Sequence, residues 1–410
     1  MDLLFTFFQA TLVIVQLLFV GAAFIPWLIK DSEEWPLLPL LGVAIFSFLV
    51  YVWTSIELDQ FWFRIAIFTL ATVGFYRAYL IFQHSQQKKL IYLENKVQLL
   101  LVVILVCMPI GVNLGMSAFD ANDEIYSWNF WAIQVFHKQA IDFTFTQSAY
   151  PQFFSHFIAS IYLLFGGIEY QTVTKLVLVI LPVSWLLLLA SKYGQRHAWK
   201  FLILAVLIFY GVKLDDEFSQ GLADPMMAVF LSAGVYVLIN ACSMKTVTTH
   251  QSIILATLFI SISPLIKQAA LPWAVFIFPV LLVMLVLKNN LPKNLLCYAI
   301  IPVLSSLIWL LTVGSDFHQN QGVINASMSD RSLLGQAFYS INENILGNPL
   351  LASIFIYFSY RVFKNKNSLI IIVYIGCLIS LVLWLLFGGY DLRLGMHVFT
   401  VLWVLDATIT

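Results

Sequence analysis

The chain has 410 residues, of which 61% are hydrophobic and 16% aromatic, while only 10% are charged. A soluble domain carries roughly 25% charged residues, so these proportions exclude a soluble globular protein and indicate a polytopic membrane protein. Lys plus Arg equals Asp plus Glu at 21 each. The net charge is therefore zero, which gives no electrostatic case for nucleic acid.

In chain order, Leu3 to Ile25 is an apolar run long enough to cross a bilayer core, which takes about 20 residues at 1.5 Å each. It lacks a basic leader region and a small-residue cleavage site, and so reads as an uncleaved span. Further spans are expected at Leu37 to Trp53, Phe61 to Phe82 and Val97 to Met116. The loop between the last two holds Lys88, Lys89 and Lys96, which places it in the cytoplasm by the positive-inside rule. The fourth span then runs outward, and the acidic stretch after Met116 emerges on the far side.

Apolar segments continue at Tyr150 to Phe165, Val173 to Ala190, Ala198 to Val212, Pro225 to Ala241, Ile253 to Ile266, Ala269 to Leu287, Leu295 to Val313, Leu350 to Val362, Leu369 to Phe387 and Leu392 to Leu405. If all of them span, the basic loops with Lys192, Arg196 and Lys200, with Lys288 and Lys293, and with Arg361, Lys364 and Lys366 fall outside, against the rule. If Tyr150 to Phe165 does not cross, every one of them falls inside. That segment is short, opens with Pro151, and carries Gln152, Ser155 and His156, which suit a partly wet re-entrant or juxtamembrane helix. About thirteen spans with an outer N-terminus result. Asp215, Asp216, Glu217, Asp224, Lys267, the loop Gly314 to Asn348, Asp391 and Arg393 then join Asp120 to Glu124 on the outer face.

The stretch FDANDEIYSWNFW concentrates acidic residues in an otherwise apolar chain. After Asp123, apolar residues recur at Ile125, Trp128, Ala132, Val135 and Phe136, a helical period, with Trp128 and Trp131 suited to the headgroup region. A helix along the outer surface is expected. Any single carboxylate could cap it, but one cap does not need three. Asp224 before Pro225 has the pattern of a helix cap followed by proline at the first helical position, and taken alone it reads as a cap. A snorkelling lysine is the bland reading of Lys267. Lys267 and Arg393 nevertheless lie on the face that the positive-inside rule depletes, which points toward binding an anion such as a phosphate. Cys107, Cys242, Cys297 and Cys377 show no CxxC spacing, which argues against a zinc site or disulfide framework. No GxSxG, HExxH, P-loop or GxGxxG signature is present, and no internal repeat suggests a two-half transporter.

Four pieces between Val97 and Thr410 resemble the GT-C class of polytopic glycosyltransferases, which includes protein mannosyltransferases, aminoarabinose transferases and bacterial envelope polysaccharide enzymes. NDEIYSWNFW is similar to the acidic opening of the first outer loop, and AYPQFFSHFIASIYLLFG to the Tyr/His-Pro helix after it. GLADPMMAVFL is similar to an Ala-Asp step opening a later helix, and LIKQAALPW to a Lys-containing step two spans on. The resemblance implies an all-α membrane protein, a GT-C-like polytopic helical bundle with periplasmic juxtamembrane helices, in a bacterial inner membrane. It implies accessory spans over residues 1–90 and a catalytic module over 91–410, with outer loops at 119–166 and 314–348. The activity it implies is transfer of a sugar from a polyprenyl-phosphate donor to a glycan, lipid or protein acceptor at the periplasmic face, with inversion. Carried over, Asp123 is the leading base and Glu124 assists. Asp120, Tyr150, His156, Asp224, Lys267 and Arg393 bind substrate. A divalent cation, Mg or Mn, is an open cofactor, with Asp123, Glu124 and Asp224 as its ligands if one is used. The rivals are a non-enzymatic flippase or carrier of lipid-linked oligosaccharide, and a protein like an O-antigen ligase or polymerase.

Overall fold

The computed structural model describes residues 3–24, 32–56, 59–85, 97–120, 124–139, 151–193, 197–243, 248–288, 291–313, 335, 338–339, 341–342, 348–365, 367–387 and 395–409. Among these the regular structure is helical, without a strand. In hydrocarbon a lipid-facing backbone must satisfy its own hydrogen bonds, so long apolar runs that are poor in charge fold as helices. The helices are α1 (Leu3–Ala22), α2 (Leu38–Ser55), α3 (Gln60–Ser85), α4 (Val97–Met116), α5 (Asn129–Phe136), α6 (Phe153–Phe165), α7 (Gln171–Val177), α8 (Ile180–Tyr193) and α9 (Ala198–Val206). They continue with α10 (Leu214–Phe218), α11 (Ala223–Ser243), α12 (Thr248–Ile266), α13 (Phe278–Lys288), α14 (Ile300–Val313), α15 (Pro349–Asn365), α16 (Ser368–Phe387) and α17 (Met396–Ile409).

Among the described residues, eight helices are long and apolar enough to cross a membrane, which makes this a multi-pass helical membrane protein. Five others, Phe153–Phe165, Ala198–Gly211, His250–Ile266, Lys293–Leu307 and Met396–Ile409, are apolar but shorter.

The chain divides into two compact units. The first holds the described residues up to Leu222, apart from Pro151 and Tyr210–Leu214; the second holds those and the described residues from Ala223 onward. In the first unit α1 packs against α2, α3 and α7, and α2 packs against α6. The first 85 residues therefore share a unit with the acidic stretch. Backbones touch at three glycines: a Cβ on Gly21 would fall on the Leu38 carbonyl, on Gly42 upon the Leu17 carbonyl, and on Gly74 upon the Phe19 carbonyl. Small residues permit such close approach where helices cannot gain from excluding water. In the second unit α11 is enclosed completely and lies between α12 and α17, with α15 and α16 packed on α17.

The surface helix expected after Asp123 is differently placed. It opens as a π-helical turn, Glu124–Trp128, and continues as α5. Trp128 and Trp131 are fully buried in edge-to-face contact with ring centroids 5.3 Å apart, and Trp128 also meets Phe154 of α6 at 5.8 Å. These indoles are core groups, so they do not form the headgroup belt the sequence suggested. Segment α6 is likewise enclosed by protein, with Ser155 and His156 buried, where a partly wet helix was expected. A left-handed Gly166 (φ 88°) ends it, its N–H bonded to the Tyr162 carbonyl.

Candidate functional site

In the second unit the chain brings Asp224 and Lys267 together across 43 positions of sequence. Asp224 is in the first turn of α11 and wholly buried. Lys267 sits where α12 stops: Pro264 lies in the last turn, Lys267 itself is extended (φ −154°, ψ 140°), and a short 3-10 turn, Gln268–Ala270, follows. A π-helical turn, Trp273–Ile277, then leads into α13. This break exposes backbone and side-chain groups that a continuous helix would consume, and π-turns recur at functional sites.

Lys267 Nζ donates to Asp224 Oδ2 at 2.6 Å, with both side chains almost wholly buried. Asp224 Oδ1 is buried without a hydrogen-bond partner among the described residues. Both bland readings therefore fail. Among the described residues neither Asp224 carboxylate oxygen meets a backbone N–H, so Asp224 is not seen to cap the helix, and the Lys267 ammonium is buried against Asp224 and does not reach out to snorkel. The pair therefore leaves acceptor capacity at Asp224 Oδ1. Gln268 Oε1, on the next residue, is also buried without a partner. His397 is buried in α17, whose Thr400 hydroxyl donates to the Ala228 carbonyl of α11 at 3.4 Å.

The first unit holds a separate set. Lys175 of α7 is buried and donates to Asp120 Oδ1 at 2.7 Å, to Ser117 Oγ at 3.2 Å and to the Ala118 carbonyl at 3.2 Å. Asp120 is thus an anchor for Lys175 just beyond α4. His156 donates from Nδ1 to the Gln152 carbonyl at 2.7 Å, and its ring stacks on Tyr51 with centroids 3.7 Å apart. Helix α6, with 13 residues, is not among the eight helices long enough to cross, and burial there pushes the imidazole down to about 4, with the Gln152 carbonyl opposing that shift. Tyr162 of the same helix donates to Asn129 Oδ1 of α5.

No family model, curated protein or solved structure matches the chain.

Of the residues singled out from sequence, Asp224 and Lys267 meet, while Asp120 and His156 each have other partners. Asp123, Tyr150 and Arg393 lie outside the described residues, as do the Glu124 side chain, Asp391 and most of the 314–348 loop. Among the described residues no three His, Cys, Asp or Glu side chains gather as a metal site. Asp224 moreover has an ammonium against one oxygen, so the described residues do not fit a divalent cation there. Sequence reasoning missed two partners. One is Lys175, whose signal was a lone basic residue inside an apolar run. The other is the pair of Arg361 Nε and Asp406 Oδ1 at 2.9 Å, in which Asp406 is the single acid of α17 and is buried. An acid in an apolar helix demands a partner.

Proposed function

We propose that the chain is an integral-membrane glycosyltransferase of GT-C type that moves a sugar from a polyprenyl-phosphate donor to an envelope acceptor. The observation that carries this reading is the buried Asp224–Lys267 pair at a helix break, with one carboxylate oxygen left over. A buried ion pair contributes little net stability, because desolvation offsets the attraction, so its presence favours a role in binding or chemistry. Lys267 is the cation that meets the departing lipid phosphate, and Asp224 holds it in position. Asp123, assisted by Glu124, takes the proton from the acceptor hydroxyl as that oxygen attacks the anomeric carbon. The C–O bond to the lipid phosphate breaks on the opposite side, which inverts the configuration.

Contacts within each unit support the non-crossing reading of α6 and the thirteen-span topology. Lys175 touches Asp120, so the chain between them crosses an even number of times. Lys138 Nζ lies 4.3 Å from the Trp53 ring centroid, and the Arg77 guanidinium donates to the Ala23 carbonyl, each joining ends that this topology puts on one face. In the second unit the pairs Asp224–Lys267, His250–Tyr298 and Arg361–Asp406 obey the same parity.

The deciding experiment measures transfer of radiolabelled sugar from polyprenyl-phosphate donors to a membrane extract, using purified wild type and Asp123→Asn. Transfer that collapses in a folded variant supports the reading. Equal transfer by both moves the base elsewhere, and no transfer by either across a broad donor panel favours a carrier.

A further inference from the structure

Among the described residues two acids are buried, Asp224 and Asp406, and the fold treats them differently. Asp406 Oδ1 takes donors from Arg361 Nε at 2.9 Å and from Tyr357 OH at 3.4 Å. On Asp224, Oδ2 takes the Lys267 ammonium, while Oδ1 is buried with no donor, the sole carboxylate oxygen so placed among the described residues. The neighbours in sequence supply none, since Ala223, Met226, Met227 and Ile266 are fully buried and apolar. Folded proteins leave few such acceptors, because each costs stability unless something donates to it.

The charges around Oδ1 decide what can donate to it. The Lys267 ammonium favours an anion nearby, and so does the first turn of α11, whose backbone N–H groups have no acceptor within the helix. Oδ1 itself repels an anion. A phosphodiester alone would set its oxygens, which only accept, against another acceptor. A hydroxyl donates to Oδ1 without adding charge, and a bond to an ionised acceptor is among the stronger ones. Oδ1 and Oδ2 belong to one carboxylate, so a single small molecule can reach both Oδ1 and the ammonium on Oδ2. The pattern required is a phosphate with a hydroxyl close by on the same molecule, which is the pattern of a sugar phosphate. Gln268 Oε1, also buried with no donor among the described residues, adds a second acceptor at the same helix break, and a sugar ring carries several hydroxyls.

We infer that Asp224 Oδ1 accepts a hydrogen bond from a hydroxyl of the donor's sugar, beside the phosphate that meets Lys267. This rests on the glycosyltransferase reading and adds sugar selection to it. The two oxygens of Asp224 then have separate tasks: Oδ2 positions the ammonium, and Oδ1 recognises the sugar. A donor that lacks the hydroxyl leaves Oδ1 buried and unpaired, and so binds less tightly by about ten- to a hundred-fold, the worth of a hydrogen bond to a charged group. A polyprenyl phosphate with no sugar suffers the same deficit.

The test is equilibrium binding to the purified full chain in detergent, with no acceptor present, read by tryptophan fluorescence. The probes are farnesyl phosphate and its glucosyl, mannosyl, galactosyl, N-acetylglucosaminyl and arabinosyl esters, followed by the monodeoxy forms of whichever ester binds most tightly. In wild type that ester is expected to bind at least about ten-fold more tightly than farnesyl phosphate, and one monodeoxy form is expected to lose about the same factor. In folded Asp224→Asn the ester and that deoxy form bind alike, because the charged acceptor is gone. Asp224→Glu keeps both charges but moves the oxygen, so it is expected to lose the discrimination even if Asp224→Asn does not fold. A merely structural Asp224 would change the affinity for all probes together and leave their ratio intact. Esters that bind no better than farnesyl phosphate, or a deoxy penalty that persists in both variants, overturn the sugar contact while the lipid-phosphate site stands. Binding of none of the probes overturns both.

Discussion

Replacing Lys267 by methionine strands the Asp224 carboxylate in a buried, apolar surround. At the 2.6 Å separation and an effective dielectric of about 20, the pair attracts by about 6 kcal/mol. Desolvating two ions costs several kcal/mol each, so the net contribution of the pair is near zero. Removing one partner is different, and costs about 3–5 kcal/mol because the other charge stays buried alone. Lys267→Met and Asp224→Asn are therefore each expected to destabilise the chain by about that amount, whereas the double variant returns to within about 1–2 kcal/mol of wild type. Reversible unfolding in mixed micelles by added dodecyl sulfate, followed by the fluorescence of the 12 tryptophans, reads all four corners of the cycle. A double variant as unstable as the sum of the singles refutes the coupling. The same double variant, folded but lacking the cation, is expected to lose sugar transfer, so stability and chemistry separate in one protein.

Further outcomes follow from other contacts. Gly42→Leu drives a side chain into the Leu17 backbone and is expected to cost about 3 kcal/mol or more in the same assay, whereas Gly111→Ala, whose new Cβ meets only Val179 Cγ2 at 3.4 Å, stays near wild type. Asp120→Asn weakens the anchor of a buried ammonium that retains Ser117 and the Ala118 carbonyl, and is expected to cost about 1–2 kcal/mol with no loss of sugar transfer in the folded protein. His156 titrates near 6.5 when unfolded and near 4 in place, so its contribution is complete above pH 6.5 and is lost progressively as pH falls toward 4. The loss reaches about 3 kcal/mol, and His156→Phe abolishes that part of the pH dependence. If the pH profile is unchanged in His156→Phe, the imidazole is not the group responsible.

Membrane class and helix positions were legible because hydrocarbon imposes one rule on every segment: apolar length and few charges. The Asp224–Lys267 pairing was legible as two isolated charges on one predicted face, but not as a contact, since spacing along the chain says nothing of which helix ends meet. The environment of Trp128 and Trp131 was misjudged for a related reason. An indole at an amphipathic position suits a headgroup and a protein core equally, and only the packing of α5 on α6 decides between them. Lys175 was passed over because an apolar run hides a lysine whose partner lies 55 positions earlier. Three acids gathered in one short stretch suggested joint chemistry, and composition gave no sign that one of them, Asp120, also meets Lys175.

Gly21, Gly42 and Gly74 have a bearing on how the chain knows its own alignment. The surfaces of α1, α2 and α3 are built from leucine, valine and phenylalanine, and one such surface slides along another at little energetic cost. At three points, however, a carbonyl of one helix occupies the space where any side chain of its neighbour would have to be. A slip of one residue would bring Ala22, Val43 or Phe75 into that space and stop the movement. The missing side chains act as notches, and they hold the first three helices in a single register that hydrophobic contact alone would leave undefined.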